Sequence, residues 1–275
     1  MVKIAVIGLV GKSMFFDVPH FHSGGETVHS CDYYEEWGGK GFNQAVAAAR
    51  QGASVYFLGM VGCEADAQNI NKFCISEGIK PVIRIAQNDT PTACAAILTD
   101  GTGETRVTVY RGAELTVDDV EKSFKTEIAE ADYLLLNNEV PQEVNIRASE
   151  IAESHSVKII YNPAPARQLD SKLASRVSLF TPNEFEEASL PEVNCEVITT
   201  LGSKGCCIRS TGEVIPSPKV KAVDSTGAGD TFNATLAVRL AEGEVLSKAC
   251  YEANIEAAKS VGIRFVMPSL PHRGS

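Results

Sequence analysis

The sequence predicts an α/β fold, with helices on both faces of a mostly parallel central sheet and a small β-sheet lid beside it. From residue 117 onward, helical and strand patterns alternate, which is typical of a parallel sheet built from βα units. The alternating segments are 117–129, 132–137, 141–154 and 157–161. Residues 91–99 and 105–110 are predicted strands joined by a DGTG turn, outside this alternation. We therefore expect one domain over residues 1–275, with a lid formed by about 13–37 and 91–110.

The other elements follow from local patterns along the chain. Residues 2–7 are continuously apolar and β-branched, which predicts a central strand. Pieces 27–31 and 33–37 are strand-like, and the tail 267–275, with two prolines, is predicted to be non-helical. The remaining predicted helices are 44–51, 64–77, one that begins near Gly227, and 247–262, and the remaining strands are 54–60, 179–181, 196–201 and a hairpin at 206–215.

Composition excludes several classes of function. The chain has a net charge of −10 and no basic cluster, which argues against a nucleic-acid partner. Its eight cysteines are scattered, without a C-x-x-C pair or zinc-finger spacing, and are expected to be reduced thiols. Neither a signal peptide nor a membrane-spanning stretch is apparent, so we expect a cytoplasmic protein with no membrane partner.

The stretch with the clearest chemistry is residues 223–237, VDSTGAGDTFNATLA. A helix that begins near Gly227 leaves its first N–H groups unpaired, and glycines let an anion come close to them. Asp230 lies in that first turn, where its carboxylate would repel a phosphate directly beside it. Its expected role is to accept a proton from an attacking hydroxyl while the N–H groups hold negative charge.

A second glycine cluster, residues 38–43 with the sequence GGKGFN, opens another predicted helix. Such a backbone surface can be approached by a polyol, with Lys40 and Asn43 pointing at it. By contrast, residues 8–13 (GLVGKS) do not match a phosphate-binding P-loop. That motif requires a glycine five residues before Gly11, and Val6 stands at this position.

Together the two glycine-rich motifs resemble those of the ribokinase-like (phosphofructokinase-B) family of sugar and nucleoside kinases. Residues 25–28 (GETV), 162–167 (NPAPAR), 181–184 (TPNE) and 200–205 (TLGSKG) occur in the family's order, and NPAPAR is most similar to the ribokinase branch. The resemblance implies a three-layer α/β/α fold with a β lid, and transfer of the ATP γ-phosphoryl group to a primary hydroxyl of a small sugar, with Mg²⁺.

The resemblance also implies roles for individual residues. Asp230 is the implied catalytic base, and the amides of Gly227, Ala228 and Gly229 form the anion hole. The residues that it assigns to the sugar are Ser13, Gly39, Lys40, Asn43, Glu139 and Asp230. Those that it assigns to ATP are Asn183, Thr200, Gly202, Gly205 and Asn254. Asn183 and Glu186 would organise Mg²⁺ largely through water, and Asp224 and Ser225 match part of a loop that can bind K⁺.

Four departures from the family pattern bear on these expectations. Ser13 stands where the ribokinase branch has a sugar-binding Asp, and the neighbouring Lys12 favours an acidic substrate. Phe265 stands where a glycine commonly helps to form the cation loop. The segment 184–196 is short, which predicts a trimmed crossover helix, and the usual final helix does not follow residue 271.

Two other functions remain open on the sequence alone. A nucleoside kinase of the same fold is one, because Phe15 and Phe16 could stack a base. A sugar-sensing module without catalysis is the other. For either kinase the expected partners are a small-molecule substrate and ATP. An exposed flap with Tyr33, Tyr34 and Trp37 also predicts a homodimer that forms through the lid.

Overall fold

The computed structural model of the chain describes residues 1–87 and 89–275. Its strands, in chain order, are β1 (Lys3–Ile7), β2 (Gly11–Asp17), β3 (Asp32–Gly38), β4 (Ser54–Val61), β5 (Lys80–Ile85), β6 (Ala93–Thr99), β7 (Thr105–Tyr110), β8 (Tyr133–Asn137), β9 (Lys158–Asn162), β10 (Leu179–Phe180), β11 (Glu196–Thr200), β12 (Cys206–Ile208) and β13 (Glu213–Ile215). Its helices are α1 (Lys40–Arg50), α2 (Glu64–Ser76), α3 (Val117–Ser123), α4 (Lys125–Ala129), α5 (Gln142–Ser154), α6 (Ser171–Ala174), α7 (Glu184–Glu187), α8 (Ala228–Ala241), α9 (Leu246–Ser260) and α10 (Val266–Ser269), with a 3₁₀ turn at Gly202–Lys204.

The larger sheet has nine strands in the order β13-β12-β11-β10-β9-β8-β1-β4-β5. Pairing is parallel from β11 across to β5, and β12 and β13 extend one edge in antiparallel fashion. In the described part of the chain, no helix combines the length and apolarity needed to cross a bilayer. The predicted mostly parallel sheet is confirmed.

Helices cover both faces of this sheet because its central strands are apolar on both sides. On β1, Ile4 and Val6 pack into one buried cluster, which includes Phe42 of α1 and Phe232 of α8. The alternate residues of β1 pack into a second cluster with the apolar residues of α3, α4 and α5. Successive side chains of a strand point to opposite faces, so the two clusters lie on opposite sides of the sheet and form the three predicted layers.

The smaller sheet, which we call the lid sheet, has four strands in the order β3-β2-β6-β7. The predicted hairpin of β6 and β7 is confirmed, with Thr99 paired to Thr105. The Asp100 carboxylate accepts a hydrogen bond from the Thr102 main-chain N–H at 2.9 Å, which stabilises the turn. β2 pairs in parallel with β6 and antiparallel with β3.

Three local predictions were wrong. Residues 27–31 form no strand, because β2, the partner of β3, ends at Asp17, which pairs with Asp32. The helix expected over 117–129 breaks at Phe124, which has a φ of −141° and a buried ring. The tail contains the turn α10, because its proline lies in the first turn, where no N–H is needed.

The lid sheet is fastened to the segment that leads into α10. Arg264 forms an ion pair with Asp17 of β2, and the ring of Phe265 stacks on Tyr34 of β3 at 4.1 Å between centroids. The Glu36 carboxylate accepts hydrogen bonds from the first two N–H groups of α10, at 2.8 and 2.9 Å. These contacts hold the lid sheet over the edge of the larger sheet where α1 and α8 begin.

Candidate active site

A cavity of about 300 Å³ lies between the lid sheet and the start of helices α1 and α8. Most of the residues that the sequence assigned to catalysis or to the sugar line it: Ser13, Gly39, Lys40, Asn43, Glu139, Gly227 and Asp230. They come from β2, from the β3–α1 junction, from the end of β8 and from α8. The fold therefore brings together residues that are more than 200 positions apart in the chain.

Gly39 determines how α1 enters the cavity. It is the N-cap of α1 with a φ of 115°, and a Cβ added there would lie 2.3 Å from the Leu9 carbonyl oxygen. Only glycine satisfies both conditions without strain. The helix consequently begins at Lys40, and Asn43 and Gln44 lie one turn further on, facing α8.

Asp230 occupies the third position of α8, at the floor of the cavity. It is 6% exposed, and its carboxylate accepts hydrogen bonds from Asn43 Nδ2 at 2.8 Å and from Gln44 Nε2 at 3.1 Å. Burial raises the pKa of Asp230, while the charge of Lys40 and the two amides act in the opposite direction. A carboxylate with a raised pKa is a stronger base, which suits proton abstraction.

The first turn of α8 presents main-chain donors beside this carboxylate. Gly227 is the N-cap, with a φ of 81° and no room for a Cβ, which would lie 2.7 Å from a methyl of Val266. Across residues 1–87 and 89–275, the N–H groups of Gly227 and Gly229 have no protein acceptor, whereas that of Ala228 donates to the Ser225 carbonyl at 3.3 Å. A Cβ at Gly229 would meet nothing within 4 Å, so this side of the turn is open.

Lys40 supplies positive potential in an otherwise acidic protein. Burial alone would lower its pKa, but the charges of Asp230, Glu139 and Glu186 outweigh burial and raise it. Glu139 Oε2 accepts a hydrogen bond from the Lys40 main-chain N–H at 2.6 Å, and burial raises the pKa of Glu139 to about 7. Among the described ion pairs within 4 Å, none involves the Lys40 ammonium, which leaves it available to a ligand.

The lid sheet contributes Ser13 and an apolar wall. Ser13 lies opposite Glu36 and Ala95, and its hydroxyl covers Gly38, where a Cβ would lie 2.4 Å from Ser13 Oγ. Lys12 forms an ion pair with Asp66 at 2.9 Å. Its charge is thus already balanced, which removes the argument for an acidic substrate.

The residues assigned to ATP divide into two groups. Asn183 bridges to Thr200 at the carboxyl ends of β10 and β11, next to the turn that starts at Gly202. A Cβ at Gly205 would lie 2.0 Å from the Ile215 carbonyl oxygen, so this glycine has a packing role. Asn254 is only 4% exposed and donates to that same carbonyl at 2.9 Å, so its amide contacts the β12–β13 hairpin instead of the open edge.

Asn183 and Glu186 also have oxygen atoms of the kind that Mg²⁺ prefers. They form a reciprocal capping box on α7: Asn183 Oδ1 accepts from the Glu186 N–H, and a Glu186 oxygen accepts from the Asn183 N–H. The described residues contain no group of three or more His, Cys, Asp or Glu arranged to hold a metal directly. Mg²⁺ commonly keeps several waters and binds one or two side chains together with substrate phosphates, and this pair fits that mode. α7 is a single turn, in line with the trimmed helix that the short segment 184–196 predicted.

The loop expected to bind a monovalent cation is held in place by contacts within the protein. Asp224 Oδ1 accepts from the Thr226 N–H at 2.9 Å and Oδ2 from the Phe265 N–H at 3.1 Å, while the Ser225 carbonyl accepts from Ala228. Phe265 has a φ of 68°. Among the described residues, no buried side-chain oxygen of this loop lacks a hydrogen-bond partner, and K⁺ binding there stays a prediction.

Gln44 is the clearest site residue that the sequence reasoning missed. It follows Asn43 on the same helical turn and contacts the same carboxylate. The available signal was its position four residues after Lys40, on one face of α1. The apolar wall formed by Ile97, Val107 and Val109 was also missed, because strand patterns do not tell which face of a small sheet covers a ligand.

Comparison with known proteins identifies the family of this chain. The family described as pfkB family carbohydrate kinase matches residues 1–273. A ribokinase from Bacillus subtilis (strain 168) is 34% identical over 277 residues, which cover 95% of this chain and 93% of that protein. The crystal structure of ribokinase from Thermotoga maritima matches with a TM-score of 0.86 and 28% identity, over 99% of this chain and 97% of that one. Ribokinase from Cryptococcus neoformans var. grubii, in complex with ADP, matches with a TM-score of 0.82 and 25% identity, over 98% of this chain and 97% of that one. The chain therefore belongs to the pfkB family of carbohydrate kinases, and it is a phosphotransferase.

Proposed function

We propose that the protein transfers the γ-phosphoryl group of ATP to a primary hydroxyl of a ribose-like sugar, with Asp230 as the general base. The observation that carries this proposal is a buried carboxylate at the floor of a covered cavity, in the same helical turn as the unpaired N–H groups of Gly227 and Gly229. The similarity to ribokinases supports ATP and a ribose-like sugar as substrates.

The chemistry follows from this arrangement. Asp230 accepts the proton of the sugar hydroxyl while the oxygen of that hydroxyl forms a bond to the γ-phosphorus of ATP. The bond between the γ-phosphorus and the oxygen that bridges it to the β-phosphorus breaks, and ADP leaves. Phosphoryl transfer needs alignment and charge stabilisation more than covalent help. The N–H groups of Gly227 and Gly229 hold the charge on the transferred oxygens. Bound Mg²⁺ would neutralise phosphate charge, and Asn183 and Glu186 would hold it largely through water.

Sugar binding falls to the other polar residues that line the cavity. Asn43 Oδ1 is buried without a hydrogen-bond partner, an arrangement that costs free energy unless a ligand hydroxyl donates to it. Lys40 and Glu139 add a donor and an acceptor, and Ser13 offers one hydroxyl. A cavity of about 300 Å³ is at the small end of ligand sites, which favours a monosaccharide over a larger acceptor.

A nucleoside acceptor has less support. The ring of Phe15, which could have stacked a base, lies edge-on against Phe265 at 5.0 Å between centroids and is buried. Phe16 packs against Tyr33 at 5.1 Å. Both rings thus already contact another aromatic side chain, and we do not propose a nucleoside kinase.

The test of the proposed function is ADP release with Mg²⁺ and ATP against a panel of pentoses, hexoses and nucleosides. We expect release only with sugars, and most strongly with ribose or a close relative. Absence of sugar-stimulated release, with sugar binding intact by calorimetry, would instead favour a sensing module.

We also propose that two copies pair through their lid sheets. β7 is an edge strand of the lid sheet, and Val107 and Val109, on its cavity side, are 57% and 58% exposed. Tyr110, on the other side of the same strand, is 48% exposed. Edge strands and exposed apolar patches are typical interaction surfaces.

Light scattering at micromolar concentration should give the mass of a dimer for the wild type. Val109→Glu should shift it to monomer by placing a charge on this apolar edge strand. Val245→Glu, at an exposed valine outside the lid sheet, is the control. A wild type that remains monomeric would contradict the proposal.

A further inference from the structure

Gln44 is a buried amide to which the reaction as proposed above gives no role. It is 1% exposed, and its Nε2 donates to Asp230 Oδ1 at 3.1 Å while Asn43 Nδ2 donates to Oδ2 at 2.8 Å. Each oxygen of the carboxylate therefore has its own amide donor. Rotation of the carboxylate about its Cβ–Cγ bond would break one or both of these hydrogen bonds.

Gln44 is itself held by a series of buried polar groups. Its Nε2 lies 3.5 Å from Asn162 Oδ1, and Asn162 Nδ2 donates to the Thr181 carbonyl at 3.0 Å. The Thr181 hydroxyl donates to Asn233 Oδ1, and Asn233 Nδ2 donates to the Gly229 carbonyl at 2.8 Å. The series thus returns to the residue that precedes the proposed base. A connected series of buried hydrogen bonds rigidifies the groups that it joins.

The donors on the carboxylate are neutral, which matters for a base. The charged groups near Asp230 are Lys40 from α1 and Glu139 from the segment after β8, while β9 contributes only the neutral amide of Asn162. A cation hydrogen-bonded to the carboxylate would lower its pKa strongly and weaken it as a base. An amide orients the oxygen and satisfies its charge with a smaller loss of basicity.

We propose that Gln44 is a positioning residue for Asp230, fixing Oδ1 so that the remaining lone pairs of the carboxylate face the sugar hydroxyl. The inference rests on the proposed function, because the orientation of Asp230 affects turnover only if Asp230 is the base. Gln44 itself touches neither the sugar nor the phosphates in this account.

The variant Gln44→Met keeps the length of the side chain and removes the donor. The acidic limb of its kcat–pH profile should shift upward by about one pH unit, because the ionised carboxylate loses a hydrogen bond. At neutral pH kcat should fall about tenfold, as expected for misplacing a general base, with KM for the sugar nearly unchanged. Gln44→Glu places a second carboxyl beside Asp230 and should shift the limb further.

Gln51 provides the matched control. It is a buried glutamine at the other end of α1, and its Oε1 accepts a hydrogen bond from Arg239 at 2.9 Å. Gln51→Met should lower the melting temperature without moving the pH profile. A Gln44→Met enzyme that folds and keeps the wild-type profile overturns the inference, and if this variant does not fold, Gln44→Glu decides it by the same measurement.

A second readout does not depend on turnover. The carboxyl ¹³C resonance of Asp230, assigned by its loss in Asp230→Asn, reports the pKa of this group directly in protein labelled at aspartate. The pKa should be higher in Gln44→Met than in the wild type, and an unchanged pKa overturns the inference. Absence of sugar-stimulated turnover in the wild type would overturn the proposed function instead, and the titration would still decide whether Gln44 tunes the carboxyl.

Discussion

Lys40 keeps its charge in a buried position because three carboxyl groups act on it. Asp230, Glu139 and Glu186 all raise its pKa, against the effect of burial. The converse holds for Glu139, whose pKa rises to about 7 because burial disfavours its charged form more than Lys40 favours it. Buried groups of opposite charge thus offset one another in the site, and a neutral sugar with only hydroxyl groups would leave the net charge of the cavity unchanged.

This balance predicts a pH dependence of stability. The pKa of Glu139 is raised in the folded protein from an ordinary 4.5 to about 7, so its contribution to stability is fully present below pH 4.5 and is lost as the pH rises through about 7. Glu139→Gln mimics the protonated form and should lack this loss. Thermal unfolding of the wild type and of Glu139→Gln between pH 4.5 and 8 measures this loss of stability. The melting temperature of the wild type should fall relative to that of the variant as the pH rises.

Glu143→Gln on the exposed surface of α5 is the control, and its curve should parallel the wild type. If Glu139→Gln and the wild type also have parallel curves, Glu139 is not the buried acid that the geometry indicates.

Individual site residues were predictable where a motif names them. The two glycine-rich motifs gave Lys40, Asn43 and Asp230, all of which line the cavity. Gln44 was not predictable, because a glutamine in an alanine-rich helix has the same pattern whether it faces a carboxylate or solvent. The burial of Asn254 was likewise not predictable from the sequence, because it depends on where the Ile215 carbonyl lies in the folded chain.

At the scale of elements, two helix starts build the site, and both use glycines with positive φ. Gly39 brings α1 within contact of the Leu9 carbonyl, and Gly227 brings α8 against Val266. Because these starts face each other, residues in the first turns of α1 and α8 meet across the cavity. The position of the helices therefore depends on the absence of two side chains.

Gly39→Ala should destabilise the protein by about 2 kcal/mol or more, because an alanine there combines positive φ with a contact of 2.3 Å. It should also weaken sugar binding, since relief of the contact moves Lys40. Chemical denaturation and calorimetry measure the two effects. Gly24→Ala, where a Cβ meets nothing within 4 Å, should change stability by less than about 0.5 kcal/mol. Equal effects of the two substitutions would contradict this account of the helix start.

The regular elements were more predictable than the irregular ones, for a physical reason. Continuous apolar strands such as β1 and the alternation after residue 117 carry a periodicity that burial imposes. The break at Phe124 and the loop before Asp32 depend on tertiary contacts, namely the burial of the Phe124 ring and the end of the partner strand β2 at Asp17. Such contacts leave no periodic trace in the sequence.

For the whole molecule, the lid sheet and the C-terminal segment act as one cover. Asp17 and Arg264 are 247 residues apart in the chain, yet they form an ion pair that joins the two. Glu36 of the lid sheet accepts from the N–H groups of Val266 and Met267, and Val266 packs on Gly227. The lid is therefore connected through α10 to the turn proposed to hold the phosphoryl oxygens. No sequence pattern could have predicted this connection.

The central claim is that a single buried carboxylate activates a sugar hydroxyl inside this covered cavity. Its most direct test is the variant Asp230→Asn, measured both for sugar and ATP binding by calorimetry and for kcat with the best sugar of the panel. We predict binding within a fewfold of the wild type and a kcat lower by about 10²-fold or more, because an amide cannot accept the proton. An Asp230→Asn enzyme that folds, binds the sugar and turns over at the wild-type rate would contradict the account.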